Sequence, residues 1–286
     1  MFRHLKKPFC VTDKNEVMRI GDYIRKRLGD EYTISSRILN FMNYGSNSSR
    51  TRTLVIGVHN KYRNNISPYD LFPQYRKEKT LREVIGSFPR LEWGEISQDD
   101  FYHAFRTYDE KMRPWIHDLK EGESAFDNED IKKRPHRVIN GKIVENVKKN
   151  RDKYTRQKWD RFVQCVHTRN DQLAAQNTVH PDQDRVFSIR ELMEMMTVPH
   201  NFRWMDRSLE ELNQLSITEK RRIYKEHEVN IRQCLGEAVP TAVVKQIAHN
   251  ISNELSKKRY ESVAIGTVIK EYQLTDKKEL KKVYFI

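Results

Sequence analysis

A mixed α/β fold is what this sequence predicts, on three observations. Two strand-like segments, Tyr32 to Phe41 and Thr53 to Val58, flank a polar turn at Gly45 to Ser49. Apolar residues recur at helical spacing from Lys14 to Leu28 and again from Pro240 to Leu255. The 286 residues also hold 12 Phe, 13 Tyr and 4 Trp, with 37% hydrophobics. That apolar mass argues for a folded core over disorder, in one large domain or two small ones.

In chain order, the helix at Lys14–Leu28 places Val17, Ile20, Tyr23, Ile24 and Leu28 on one face. Ile34, Ile38 and Leu39 mark the first strand. Thr53-Leu54-Val55-Ile56-Gly57-Val58 is a nearly continuous apolar run, which predicts a strand buried on both faces. Two strands cannot supply that burial, so later segments or another polypeptide must complete the sheet. Residues 66–180 read as irregular, broken by Pro68, Pro73, Pro89, Pro114 and Pro135. Ser188 predicts an N-cap with Glu191 three residues on as a capping box, and Pro199 closes that helix. Ser216 to Leu235 reads as one or two helices. The last helix opens at Pro240 and repeats Val243, Ile247, Ile251 and Leu255, widened by Val244 and Ala248.

Composition narrows the function classes. There are 53 Lys plus Arg against 40 Asp plus Glu, a formal net charge of +13, which suggests a polyanionic partner. The charge is uneven. Glu92 to Asp130 holds 12 acids and 4 bases, a net of −8; Lys132 to Arg161 holds 12 bases and 3 acids, a net of +9. The basic block carries Tyr154 and Trp159, which could stack on bases. Alternatively it is a solvated face that folds back onto the acidic block. No apolar run is long enough for a membrane helix, and Met1 to Pro8 lacks the apolar stretch of a secretory signal. Cys10, Cys165 and Cys234 are odd in number and in no metal spacing, so reduced thiols in the cytoplasm are expected. His103, His117 and the other histidines show no ligand spacing, so no metal site is expected.

Three segments, in order and spacing, resemble the C-terminal motifs of DNA (cytosine-5) methyltransferases. Tyr44-Gly45-Ser46-Asn47-Ser48-Ser49-Arg50-Thr51-Arg52 followed by Thr53 to Gly57 is similar to motif VIII. Arg185-Val186-Phe187-Ser188-Ile189-Arg190-Glu191, with Pro199 and Phe202, is similar to motif IX; His180-Pro181 and Tyr154-Thr155-Arg156 with Asp160 fit what precedes it. Leu235-Gly236-Glu237-Ala238-Val239-Pro240, leading into Ile247-Ala248, is similar to motif X. Thr80 to Gly86 resembles the opening of the recognition region. Some positions depart from the pattern. Asn47 and Ser48 replace a proline and a glutamine, Met195-Met196 a Leu-Gln pair, His200 an aspartate, and Glu237 an asparagine. A carboxylate at 237 would repel the cofactor's own carboxylate unless a cation intervenes.

The resemblance implies the C-terminal portion of a Rossmann-like S-adenosylmethionine-dependent methyltransferase domain, α/β in class, with a smaller target-recognition domain inserted. Residues 1–65 would be the helix and strand hairpin of the catalytic domain. Residues 66–205 would be the target-recognition domain ending in the motif IX helix, and 206–286 the return to the catalytic domain plus a basic tail. Family chemistry needs a cysteine thiolate on C6 of a flipped cytosine, a glutamate at N3, and a methyl group from S-adenosylmethionine. This sequence has no Pro-Cys and no Phe-x-Gly-x-Gly; its one Glu-Asn-Val, residues 145–147, falls inside the basic block and reads as coincidence.

The expected function is therefore target recognition and active-site completion for cytosine-5 methylation of DNA, in a restriction-modification system. The catalytic cysteine and glutamate are expected on a partner chain that shares the S-adenosylmethionine, with double-stranded DNA as the other partner, no membrane, and a location at the bacterial nucleoid. The chain alone would be inactive. Arg50 and Arg52 would brace the flipped cytosine, a phosphate or the partner's glutamate. Gly236, Glu237, Ala238 and Val239 would close the cofactor pocket as a turn. Lys148, Lys149, Arg151, Lys153, Arg156, Lys158 and Arg161 would contact DNA. Arg190 and Glu191 would be a buried structural pair. The alternative is a non-catalytic, sequence-specific DNA-binding protein derived from such an enzyme, or, in a branch of the family, one directed to tRNA.

Overall fold

The structure, a computed structural model, describes residues 10–11, 17–146 and 152–264, with side chains described for 17–146 and 152–257. The chain divides into two compact units. The first comprises residues 1–44, 51–76 and 242–286; the second comprises 45–50 and 77–241. The motif-based boundaries at 65 and 205 follow a different logic from these contacts. They assign 206–241 to the returning segment, whereas those residues cluster with the second unit.

In the first unit β1 (Cys10–Val11) pairs antiparallel with β2 (Val17–Met18). The helix expected over Lys14–Leu28 is thus shorter. Residues 14–16 lie outside the described ones, Val17 is in a strand, and α1 runs Ile20–Leu28 with no buried residue. Next, β3 (Tyr32–Asn40) and β4 (Thr51–His59) form the expected antiparallel hairpin, in register from Tyr32 opposite His59 to Asn40 opposite Thr51.

The expectation that β4 is buried on both faces is corrected. Side chains alternate across a pleated sheet, and one face carries the burial: Ser35, Leu39, Ile56 and Val58. That face joins a core with Phe41, Ile66, Leu71, Phe72, Val243 and Ile247. On the opposite face Ile38 is 57% exposed, while Ile34 and Val55 are half-buried. Among the described residues this sheet has two strands only. Its core is closed by α7 (Thr241–Ala264), whose Val243 and Ile247 are buried while Leu255, fourth in the predicted stripe, is exposed. Polar side chains tie α7 to the loops. Gln246 Nε2 donates to Tyr44 O at 2.6 Å, and Asn250 Nδ2 to Phe72 O at 3.0 Å.

The second unit holds short elements: α2 (Leu81–Ile85), α3 (Arg113–Ile116), the hairpin of β5 (His136–Ile139) and β6 (Lys142–Glu145), α4 (Ile189–Met195) and α5 (Leu209–Asn213). One long helix completes it, α6 (Ile217–Glu237). The helices α2, α4, α5 and α6 each start from Ser or Thr with a reciprocal Glu three residues on, at Thr80/Glu83, Ser188/Glu191, Ser208/Glu211 and Ser216/Glu219. Each box satisfies two amide donors that the helix start leaves open. Ile189, Leu192, Met193 and Met195 make α4 the centre of the main core, against which α6 lays Ile223, Ile231 and Leu235. A second core forms around Trp115, Ile116, Leu119, Tyr154, Val179 and Val186.

The β5–β6 hairpin was not expected within the irregular stretch. Asn140 and Gly141 both take positive φ (50° and 74°), the two-residue turn that Asn-Gly favours.

Candidate functional site

Arg50, set between the motif VIII turn and β4, is 6% exposed. Its Nη1 donates to Gly236 O at 2.9 Å and Val166 O at 3.4 Å, and its Nη2 donates to Glu237 O at 3.1 Å. A guanidinium suits this position because the last carbonyls of α6 have no amide partner in the helix and carry its negative end. The donors expected to brace a cytosine or a phosphate are instead directed at the chain. Arg52 belongs to the first unit, half-buried opposite Leu39, with Nη1 donating to Thr51 O at 2.8 Å.

Segment 236–239 is not a single turn. Gly236 and Glu237 are the last residues of α6, and Ala238 caps it, its N–H donating to Cys234 O at 2.9 Å. Gly236 is where backbone closeness matters: a Cβ there would stand 2.5 Å from the backbone of His167 and Thr168. The neighbour it admits is therefore the chain's own loop. The Glu237 side chain is exposed and accepts from Gln233 Nε2 at 3.0 Å. Val239 is 49% exposed.

Motifs VIII and IX meet in this unit. Asn47 Nδ2 donates to Glu194 O at 2.8 Å, and the buried Ser48 hydroxyl donates to Met196 Sδ at 3.5 Å. Ser48 and Met196 each occupy a position where the family pattern has glutamine. The two departures touch.

The motif IX charges are buried but differently paired than expected. Adjacent helix residues cannot face each other, and Arg190 and Glu191 take separate partners. Glu191 forms a two-bond ion pair with Arg185, at 2.7 Å for each bond, and both are at most 1% exposed. The Arg190 guanidinium holds Asp100, with Nη2 to Oδ1 at 3.1 Å, and donates to His200 O at 3.1 Å. Burial opposes ionisation of Glu191, but Arg185 overrides it and holds the carboxyl well below the usual carboxylate range. His180 stands 3.6 Å from Glu191 Oε1 and 2.9 Å from Asp182 Oδ1. Burial pulls its imidazole pKa down, against the opposing pull of Asp182 and Glu191.

These directions set an acid sensitivity. Burial makes folded His180 a weaker proton acceptor than the unfolded imidazole, which takes up a proton below about pH 6.5, so stability falls as the pH drops through that value. Glu191 adds a further loss below about pH 4.3, where unfolded carboxylates protonate before the folded one does. In urea titrations of the second unit's signal, the midpoint should decline in both windows. His180→Asn should remove the upper decline; a variant that keeps it would refute the assignment.

The basic block is divided by the fold. Lys148, Lys149 and Arg151 lie outside the described residues. Lys153 is half-buried, while Lys158 and Arg161 are exposed. Arg156 is corrected from a DNA contact to a core residue. It is 4% exposed and donates to Ile116 O, His180 O, Gln183 O and Asp184 Oδ1 at 2.6–3.2 Å. Tyr154 is buried edge-on to Trp115 and offers no free face for base stacking, while the half-buried Trp159 packs under the Arg82 guanidinium. Part of the block does fold back on the acidic one, since Lys133 pairs with Asp118 and Trp159 N–H donates to Glu121 at 3.0 Å.

Residues 13–253 match the sequence model of the C-5 cytosine-specific DNA methylase family. The chain belongs to that family. Among curated relatives, the Type II methyltransferase M1.HgaI of Avibacterium volantium is 26% identical over 249 residues, covering 84% of this chain and 61% of the relative. The Type II methylase M.HgiDII of Herpetosiphon aurantiacus is 25% identical over 225 residues, covering 78% and 56%. The chain thus spans about three fifths of the length of these relatives. A crystal structure of a DNA modification methyltransferase encoded within a prophage (E. coli) shares the fold. It has a TM-score of 0.52 at 15% identity, over 83% of this chain and 65% of that one.

C-5 cytosine-specific DNA methylases take their methyl group from S-adenosylmethionine. The described residues do not amount to a site for it. Gly236 packs against the chain's own backbone, Arg50 occupies the carbonyls of 236 and 237, and an exposed carboxylate stands at Glu237. Among the described residues no group of three or more metal-ligating side chains converges, and no helix is long and apolar enough to cross a membrane.

Proposed function

We propose that these residues form the target-recognition and active-site-completing part of a DNA cytosine-5 methyltransferase of restriction-modification type. The nucleophilic cysteine, the glutamate and most of the S-adenosylmethionine pocket are contributed by polypeptide outside them, on a partner chain that shares the cofactor. The observation that carries this reading is a family match running from residue 13 to 253 over a sequence without Pro-Cys or a Phe-x-Gly-x-Gly loop. The β3–β4 hairpin supports it. Two strands with open edges and an exposed Ile38 suit a larger sheet to which other strands are added.

Within this reading the two motif VIII arginines divide their work. Arg50 holds the end of α6 in place, and Arg52 is the one left to meet a flipped cytosine or its phosphate. Of the motif X residues only Val239, whose side chain is exposed, is left to border the cofactor; Gly236 and Ala238 serve packing, and the Glu237 carboxylate faces solvent. Residues 66–205 carry DNA recognition, with Lys153, Lys158 and Arg161 toward phosphates; 148, 149 and 151 of the same basic block lie outside the described residues.

The test combines the purified chain with a polypeptide bearing the N-terminal family motifs. Transfer of labelled methyl from S-adenosylmethionine to cytosine in duplex DNA is then followed. Transfer should require both polypeptides, and Arg52→Ala should lower turnover on the order of a hundredfold or more if the guanidinium meets developing charge. Duplex binding without transfer in every combination would favour the non-catalytic alternative.

A further inference from the structure

The β5–β6 hairpin gathers four exposed apolar side chains in one short element of the second unit. Eight consecutive residues, 137–144, are exposed. Four of them are β-branched and apolar: Val138 is 65% exposed, Ile139 52%, Ile143 37% and Val144 43%. A two-stranded ribbon is marginal by itself in water, and leaving such side chains in solvent is a cost that a surface loop would avoid. The ribbon is nonetheless well defined. Its register runs from His136 opposite Glu145 to Ile139 opposite Lys142. Its base is pinned by Asn146 N–H to Pro135 O at 3.2 Å, by the Arg134–Glu145 ion pair at 3.6 Å, and by His136 against Trp115. A rigid base with a bare apolar tip describes an inserting element.

The surrounding charge says into what. From Lys132 to Lys153 the sequence has nine bases and two acids. On the ribbon itself Arg137 and Lys142 are exposed, and no ion pair engages either among the described residues. By strand alternation they share one face with Ile139 and Val144, while Val138 and Ile143 stand opposite each other on the other face. Two strands about 4.8 Å apart, with their side chains, match a major groove about 12 Å wide. In that groove apolar side chains recognise the thymine methyl, and basic ones meet phosphates or guanine edges.

We propose that the β5–β6 hairpin is a groove-reading ribbon for duplex DNA. Val138 and Ile143 contact base edges, thymine methyls among them, and Arg137 and Lys142 hold the flanking phosphates. The proposal rests on the DNA-recognition reading above and names the element that carries its sequence preference.

The full chain is titrated against a pool of random-sequence duplexes at several salt concentrations, and the retained duplexes are sequenced. Arg137→Gln with Lys142→Gln should weaken binding to all sequences alike and flatten the log–log salt dependence by about 1.8, close to two phosphate contacts. Val138→Thr with Ile143→Thr keeps the β-branched shape, so the ribbon should survive. These changes should leave the salt slope intact and cut the preference for the enriched sequence on the order of tenfold. Binding with slope and preference unchanged in both variants would overturn the ribbon while leaving the recognition reading in place. A shift of the apolar variant from dimer to monomer with DNA binding intact would overturn it in favour of self-association. A wild-type chain that retains no duplex would overturn both.

Discussion

Arg185→Met is expected to destabilise the second unit by about 3–5 kcal/mol, the cost of leaving one member of a buried ion pair uncompensated. Arg185 is fully buried and gives Glu191 two bonds of 2.7 Å each; Glu191 also accepts from the amide of Ser188 at 2.7 Å, which starts α4. With the guanidinium gone, the nearest titratable group to the carboxylate is His180, at 3.6 Å. Burial then dominates, and the Glu191 pKa rises above its unfolded value. A raised carboxyl pKa contributes stability at low pH that is lost as pH increases. The deficit should therefore shrink toward pH 5, although wild-type stability is itself falling there. Urea unfolding at two pH values measures this, and a deficit that does not change with pH would refute it. The double variant Arg185→Met with Glu191→Gln removes both charges and keeps an acceptor for Ser188, so much of the loss should return.

Gly236→Ala carries the second large effect. A methyl group at 236 would stand 2.5 Å from the His167 carbonyl carbon and oxygen and from Thr168 Cα. These are backbone atoms with no rotamer to move aside. Alanine favours a helix over glycine by up to about 1 kcal/mol, so the helix alone would gain. The clash outweighs that gain, and the net result should be destabilisation of about 1–3 kcal/mol, the range for overfilled cores. The same displacement reaches Arg50 through its bond to Gly236 O, and Asn170, whose Nδ2 donates to both His167 O at 2.6 Å and Arg232 O at 2.8 Å. Thermal unfolding beside an exposed control two residues away, Cys234→Ala, separates the clash from helix propensity. The control should change stability by no more than about 0.5 kcal/mol, and equal melting of the two variants would contradict the close approach.

Local chemistry was the legible part of this protein. Ser188 and Glu191 announce the start of α4 because a capping box spans three residues. The two apolar runs around Gly45–Ser49 announce a hairpin because strand alternation and turn residues are local as well. Asn140-Gly141 between Arg137-Val138-Ile139 and Lys142-Ile143-Val144 is an equally local hairpin signal, obscured by the prolines and charges that break up the residues around it. Three motifs in order carried the family, which the match over residues 13–253 establishes.

What the sequence could not assign was the direction in which a long charged side chain is spent. Arg156 sits in a block of bases and reads as a surface contact, yet it closes a core by donating to carbonyls 24 to 40 residues distant. Arg50 reads as a ligand contact and instead holds carbonyls 186 and 187 residues away. By itself the sequence determined the capped start of α4, the β3–β4 hairpin, the opening of the last helix and the family, because capping, periodicity and motif order act over a few residues. Only the tertiary structure decided which arginines face solvent and which face the chain, because a guanidinium goes wherever distant backbone acceptors have been left without amide partners.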